Sequence, residues 1–167
     1  KGIAMREGFD FILQNTNYDT LVIMDGDGQH RVKDVGKFLE KARKERNDII
    51  VGNRMGYTKN MPFGRFITNR FMSSLLSTVC KQRIPDTQCG FRFLSRRVIK
   101  TIRLNSSNYD TESELLIKAS RRGFKIASVP IETVYTGERS EINPVTDTVR
   151  FMILLIRSYF GKNNDRL

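Results

Sequence analysis

The chain has 167 residues, a length that suits one domain with a sizeable hydrophobic core. Its 29 lysines and arginines outnumber 18 aspartates and glutamates, and the net charge of +11 favours a polyanionic partner: nucleic acid, anionic lipid or a phosphorylated small molecule. A single histidine, His30, excludes histidine-based triads and histidine-rich metal sites, and no apolar stretch approaches the ~20 residues of a membrane span. Cys80 and Cys89 lack the spacing of a zinc site, which indicates reduced thiols and a cytoplasmic location.

Helix-like and strand-like patterns alternate along the chain, which is typical of an α/β layer fold. Apolar periodicity predicts an amphipathic helix at the start, a buried strand at 21–24, a helix over 35–42 and a short strand at 48–52. Pro62 favours the start of the next helix. The residues expected to form the inner face of that helix are Ile67, Phe71, Leu75, Leu76 and Val79.

The C-terminal half continues the same alternation. Residues 90–94 predict a strand, Thr111 and Glu114 predict a capping box before a helix that Gly123 ends, and 124–129 predict another strand. Pro144 is expected to open a last helix that is apolar around most of its circumference. Such a helix either packs between other elements or lies on a membrane surface.

Residues 25–30, Asp-Gly-Asp-Gly-Gln-His, are the most informative stretch and are called the acidic turn below. They follow a buried strand, and open α/β sheets bind their ligands where such strands end. Asp25 and Asp27 can share a hard cation that also binds phosphate oxygens, so the turn predicts a metal–phosphate site. Ordinary loop chemistry of Asp and Gly is an alternative. A phosphatase-type motif with Asp25 as nucleophile is another, but Gln29 stands where that motif has threonine, and the chain has no Asp-Asp pair.

The acidic turn closely resembles the Asp-x-Asp-Gly-Gln-His turn of family 2 glycosyltransferases with the GT-A fold. The closest resemblance is to the dolichol-phosphate mannosyltransferase-like branch, which transfers sugars from nucleotide donors to polyprenyl phosphates. Three further stretches resemble family motifs in the same order: 51–54 (Val-Gly-Asn-Arg), 86–92 (Asp-Thr-Gln-Cys-Gly-Phe-Arg) and 109–116 (Tyr-Asp-Thr-Glu-Ser-Glu-Leu-Leu). Lys1-Gly2 resembles the Gly-Lys-Gly turn that begins the second half of these domains, so the donor-binding N-terminal part is expected to be missing.

This resemblance implies an α/β, GT-A-like (Rossmann-like) fold with a mostly parallel sheet flanked by helices, incomplete at the N-terminus. Residues 1–135 are expected to be the C-terminal part of the catalytic domain. Residues 136–167 are expected to form an acceptor loop and an amphipathic, membrane-surface helix. The implied reaction moves a hexose from a nucleotide sugar to a lipid (polyprenyl) phosphate, by a peripheral protein at the cytoplasmic membrane face.

The resemblance also implies roles for individual residues. Mg²⁺ or Mn²⁺ would be held by Asp25, Asp27 and Gln29 and would offset charge on the departing nucleoside diphosphate. Gln29 and His30 could instead be ordinary first residues of the next helix. One of Glu112 and Glu114 is expected to serve the helix dipole. The implied catalytic residues are Asp25, Asp27, Asp86, Asp110 and Glu112, with Asp86 alternatively a turn residue.

A basic set is implied to bind the acceptor phosphate, because guanidinium groups match phosphate oxygens in bidentate geometry. It comprises Arg54, Arg65, Asn69, Arg70 and Arg139. Ordinary surface arginines are the alternative for Arg65 and Arg70. Two other functional classes stay open: a non-catalytic fragment or scaffold, and a basic nucleic-acid-binding module, although aromatic residues are not interleaved with the basic runs.

Overall fold

The computed structural model describes residues 1–58, 61–106, 110–134 and 151. Most of the predicted elements within these ranges are present, with ends shifted by one to three residues. The helices are α1 (Gly2–Asn15), α2 (Val35–Glu45), α3 (Phe63–Cys80), α4 (Arg96–Thr101) and α5 (Thr111–Arg121), and a 3-10 turn at Val32–Asp34 precedes α2. The strands are β1 (Thr20–Ile23), β2 (Ile49–Asn53), β3 (Arg92–Ser95) and β4 (Ile126–Pro130).

The four described strands form one mixed sheet in the order β1-β3-β2-β4. Strand β3 runs antiparallel to both of its neighbours, whereas β2 and β4 pair in parallel. The α/β class is confirmed, but the expectation of a mostly parallel sheet is corrected to a mixed one. A buried strand reads as an apolar run whichever way its neighbours point, so the pattern could not reveal the direction of β3.

This topology gathers three sequence motifs at one edge of the sheet. Strands β1 and β2 point the same way, so the acidic turn and Arg54 both follow C-terminal ends at that edge. Strand β3 points the opposite way, and its first residue, Arg92, pairs with Ile23 of β1 and with Val51 of β2. The 86–91 segment therefore reaches the sheet at this same edge.

Helix α3 packs with a different face inward than its apolar residues predict. Its buried residues include Asn69, Met72, Ser73 and Leu76, whereas Ile67 and Phe71 are 49% and 57% exposed. Leu76 is buried as expected, and Leu75 and Val79 are partly buried against the core.

The segment that follows α3 explains which face of the helix is buried. Its backbone groups lie against the helix and need hydrogen-bond partners, which serine side chains of α3 provide. The hydroxyl of Ser77 accepts from the Ile84 amide at 3.0 Å and donates to the Ile84 carbonyl at 3.2 Å. The hydroxyl of Ser73 accepts from the Thr87 amide at 2.9 Å. The serine-bearing face therefore turns inward, and Ile67 and Phe71 remain outside.

The predicted capping box at the start of α5 is wrong. The helix begins at Thr111 with Asp110 as its N-cap, and no side chain caps it. The Glu114 carboxylate instead accepts from the amides of Asn105 and Ser106 at 2.9–3.1 Å and fixes the preceding segment. One of the two helix-start glutamates thus has a structural role through these amides, and its place in the first turn also suits the helix dipole.

Candidate functional site

The acidic turn leaves β1 as a tight bend. Gly28 has a φ of +73°, in the left-handed region that glycine adopts without strain. The Gln29 amide donates to Asp27 Oδ1 at 3.0 Å, so the carboxylate of Asp27 is held over its own turn while remaining exposed. Gln29 is partly buried, and its carbonyl accepts from the Val134 amide at 3.0 Å.

Asp25 is partly buried and lies between two basic side chains. His30 Nε2 is 3.8 Å from Asp25 Oδ2, and Lys1 Nζ is 2.5 Å from Asp25 Oδ1. The neighbouring imidazole of His30, together with Lys1, holds the pKa of the Asp25 carboxyl well below its usual range, although burial opposes this shift. The buried ring of His30 packs against Phe91 at 5.2 Å between ring centroids, so His30 supports the turn from the core side.

Gly90 lies directly against the Asp25 carboxylate. A Cβ atom at position 90 would be 2.1 Å from Asp25 Oδ2, so the Asp25 carboxylate would have to move to admit any side chain there. Glycine in the 86–92 motif therefore leaves the space that the first carboxylate of the acidic turn occupies. Gly90 stands within the 86–92 motif, but the motif alone predicted no role for it.

Replacing Gly90 by alanine is expected to displace the Asp25 carboxylate and to slow any reaction catalysed at this turn roughly a hundredfold, the cost of a 1 Å misplacement in an active site. Steady-state kinetics of the full-length protein measure this effect. Gly8→Ala in α1 is the matched control, because a Cβ there meets nothing within 4 Å. Catalysis by Gly90→Ala at the wild-type rate would show that Asp25 does not need its present position.

The Lys1 ammonium contacts a second carboxylate besides that of Asp25. Its Nζ atom is also 2.8 Å from Oε1 of Glu112, at the first turn of α5. Burial lowers the pKa of the Lys1 ammonium, but Glu112 and Asp25 together outweigh burial and raise the pKa overall. Two of the predicted catalytic residues, Asp25 and Glu112, thus both contact the Lys1 ammonium.

Arg54 and Asp86 form a buried bidentate ion pair. Arg54 Nε donates to Asp86 Oδ2 at 2.7 Å, Arg54 Nη2 donates to Oδ1 at 2.9 Å, and the Arg54 amide donates to Oδ2 at 3.1 Å. Asp86 is fully buried. Asp86 thus orients Arg54 in this structure, and the catalytic role predicted for it stays a prediction.

Arg92 is a second buried arginine, and the sequence reasoning gave it no role. Its guanidinium donates to the carbonyls of Thr87, Cys89 and Glu112 at 2.8–2.9 Å. Its Nη2 atom is also 3.6 Å from Glu112 Oε2. Arg92 thus ties the segment that carries Asp86 to the start of α5. An arginine among the apolar residues 91–94 is the signal that could have identified it.

The other predicted site residues are placed less uniformly. Asn69 is buried on α3, one turn before Ser73, whose hydroxyl accepts from the amide of Thr87, the residue after Asp86. On the same helix, Arg65 is partly exposed and Arg70 is exposed. Asp110 has a buried Oδ1 atom without a hydrogen-bond partner in the described part of the chain. Arg139 and the predicted segment 136–167, apart from Phe151, lie outside the described residues.

The acidic turn has the donor chemistry that a hard divalent cation requires. Asp25 and Asp27 supply carboxylate oxygens, which suit Mg²⁺ or Mn²⁺, and the Lys1 ammonium already shows that Asp25 accepts a positive charge. Within the described ranges, no group of three or more His, Cys, Asp or Glu side chains could hold a metal. A cation held by Asp25 and Asp27 would complete its coordination with other oxygen ligands, such as water or phosphate. None of the described helices is long and apolar enough to span a membrane.

Comparison with known proteins decides the family. The sequence model of glycosyl transferase family 2 matches residues 4–103, more than half of the chain. The chain belongs to glycosyl transferase family 2. The resemblance carried by the acidic turn and the three later motifs is thereby confirmed.

Relatives of this family 2 chain include transferases named for lipid phosphates. A UDP-N-acetylglucosamine–dolichyl-phosphate N-acetylglucosaminyltransferase of Methanococcus voltae is 32% identical over 123 residues, covering 71% of this chain and 49% of the relative. An undecaprenyl-phosphate mannosyltransferase of Micrococcus luteus is 28% identical over 139 residues, covering 80% of this chain and 56% of the relative. The chain thus spans about half the length of these curated relatives.

A solved structure confirms the GT-A-like fold. Glucosyl-3-phosphoglycerate synthase of Mycobacterium tuberculosis, crystallised with Mn²⁺ and UDP-glucose, superposes with a TM-score of 0.68 at 18% sequence identity. The match covers 98% of the family 2 chain and 55% of the synthase.

Proposed function

We propose that this chain is the metal- and acceptor-binding part of an enzyme that transfers a hexose from a nucleotide sugar to a polyprenyl phosphate. The observation that carries the proposal is the shared edge of the sheet. There the acidic turn follows the end of β1, and the buried, oriented guanidinium of Arg54 follows the end of β2, so carboxylates and a fixed positive charge lie at the same edge of the sheet. The names of the Methanococcus and Micrococcus relatives support a lipid phosphate as the acceptor.

In this proposal Asp25 and Asp27 would hold a divalent cation, with Gln29 as a further candidate ligand. Such a cation supplies charge neutralisation as the bond between the sugar and the diphosphate breaks. A phosphate oxygen of the acceptor forms the new bond to the sugar, and the nucleoside diphosphate leaves. Because that oxygen is already ionised, Asp110 and Glu112 need not act as strong bases.

The acceptor's phosphate is assigned to the basic side chains near α3. Asp86 holds the Arg54 guanidinium in a fixed orientation, which lowers the conformational entropy lost when an anion binds. Arg65, Asn69 and Arg70 lie on the helix that packs against the 86–91 segment, and Arg139 is retained in the set from the sequence.

A membrane surface is the proposed location of the reaction, at the cytoplasmic face. Phe63, Ile67 and Phe71 follow each other at four-residue intervals on α3 and are 49–77% exposed. An exposed apolar stripe beside basic residues suits an anionic bilayer, and the net charge of +11 adds attraction.

The test is a transfer assay with the full-length protein, a panel of UDP- and GDP-hexoses, and two acceptors, a polyprenyl phosphate and the matching polyprenol. We expect transfer to the phosphate alone, its loss on chelation with EDTA, and its recovery when Mn²⁺ or Mg²⁺ is added. Equal transfer to the polyprenol would contradict the acceptor assignment. Transfer that survives chelation would contradict the metal assignment.

A further inference from the structure

Lys1 occupies a central position that neither the motifs nor the proposed reaction explains. Helix α1 begins directly after it, and the Lys1 carbonyl accepts from the Met5 amide at 3.0 Å, so the helix fixes the lysine's backbone. From there the side chain reaches two carboxylates from distant parts of the chain, Asp25 after β1 and Glu112 on α5.

The two oxygens of Asp25 have different surroundings. Oδ1 is 2.5 Å from the Lys1 ammonium. Oδ2 is 3.8 Å from His30 Nε2 and faces the bare backbone of Gly90. A cation that binds Asp25 must therefore approach close to the Lys1 ammonium or displace it from Oδ1, and like charges at such distances repel.

Glu112 depends on the same ammonium from the other side. Its Oε1 atom is 2.8 Å from Lys1 Nζ, and its Oε2 atom is 3.6 Å from Arg92 Nη2. The side chain of Glu112 is 11% exposed, so few water molecules can replace Lys1 if it is removed. Lys1 thus keeps Glu112 next to the acidic turn.

We propose that Lys1 is a positioning residue that joins Asp25 to Glu112 and that its ammonium competes with the divalent cation for Asp25. This inference rests on the metal site of the proposed function. It has two opposite consequences: the ammonium weakens cation binding, and the bridge keeps Glu112 in place for sugar transfer. A lysine that only stabilised the fold would weaken both when it was removed.

The experiment measures Mn²⁺ binding to the full-length protein without any substrate, by electron paramagnetic resonance of free Mn²⁺. Lys1→Met is expected to bind Mn²⁺ roughly three- to tenfold more tightly than the wild type, a modest gain because the site is partly exposed and screened. The same variant is expected to transfer sugar more slowly. Lys1→Arg, which keeps the charge, should restore an affinity near the wild-type value.

Lys44→Met is the matched control, since it removes the same charge from an exposed site on α2, where Lys44 pairs with Glu40. Its Mn²⁺ affinity should equal that of the wild type. This inference alone would be overturned if Lys1→Met bound Mn²⁺ no more tightly than the wild type, while the wild type bound Mn²⁺ and lost that binding on Asp27→Asn substitution. Absence of Mn²⁺ binding in both wild type and Lys1→Met would overturn the metal site itself and the inference with it.

Discussion

Arg54→Ala is expected to lower the free energy of unfolding by about 3–5 kcal/mol, the cost of leaving one charge of a buried pair uncompensated. Asp86 is fully buried, and both of its carboxylate oxygens accept from Arg54. A loss of this size is a large fraction of the stability of an ordinary domain, about 5–15 kcal/mol. Urea denaturation followed by circular dichroism measures it.

Two comparisons make the result specific to the pair. The double variant Arg54→Met/Asp86→Leu removes both charges and should be more stable than Arg54→Ala, although the Arg54 amide then loses its acceptor. Arg97→Ala removes an arginine that is 78% exposed and should change stability little. If Arg54→Ala unfolds at the same urea concentration as Arg97→Ala, the ion pair does not support the site as described.

Asp27→Asn is expected to slow sugar transfer roughly a thousandfold, because a bound cation contributes several kcal/mol of charge stabilisation in the transition state. Asp27 is exposed and accepts only from its own turn among the contacts described, so the variant should fold like the wild type. Kinetics of the full-length protein at saturating Mn²⁺ provide the measurement.

The control for this variant is Asp10→Asn on α1, which removes the same charge from an exposed site near Arg103. It should transfer sugar at the wild-type rate. If Asp27→Asn transferred sugar as fast as Asp10→Asn, Asp27 would have no catalytic role.

Local patterns were sufficient to predict much of the fold. Strands β1 and β2 and helix α2 appear where periodicity placed them, and the acidic turn follows β1 as expected, because apolar spacing and turn chemistry act over a few residues. The face of α3 could not be predicted in this way. It depends on Ser73 and Ser77 meeting backbone groups of a segment that folds under the helix.

The contacts between the site residues could not be predicted from the sequence either. Asp86 and Arg54 are 32 positions apart, and both were assigned to substrates because nothing in either motif shows that they pair. Gly90 and Asp25 are in contact only because β3 runs antiparallel to β1, a direction that the apolar pattern does not encode. Motifs identified the residue types of the site, whereas their partners depended on tertiary contacts.

The central claim is that the acidic turn binds the cation that sugar transfer needs. A crystal of the full-length protein with Mn²⁺ and a nucleoside diphosphate, measured for anomalous scattering, tests it most directly. We predict one strong peak within coordination distance of the carboxylate oxygens of Asp25 and Asp27, at the end of β1. A peak elsewhere with none at this turn would contradict the account.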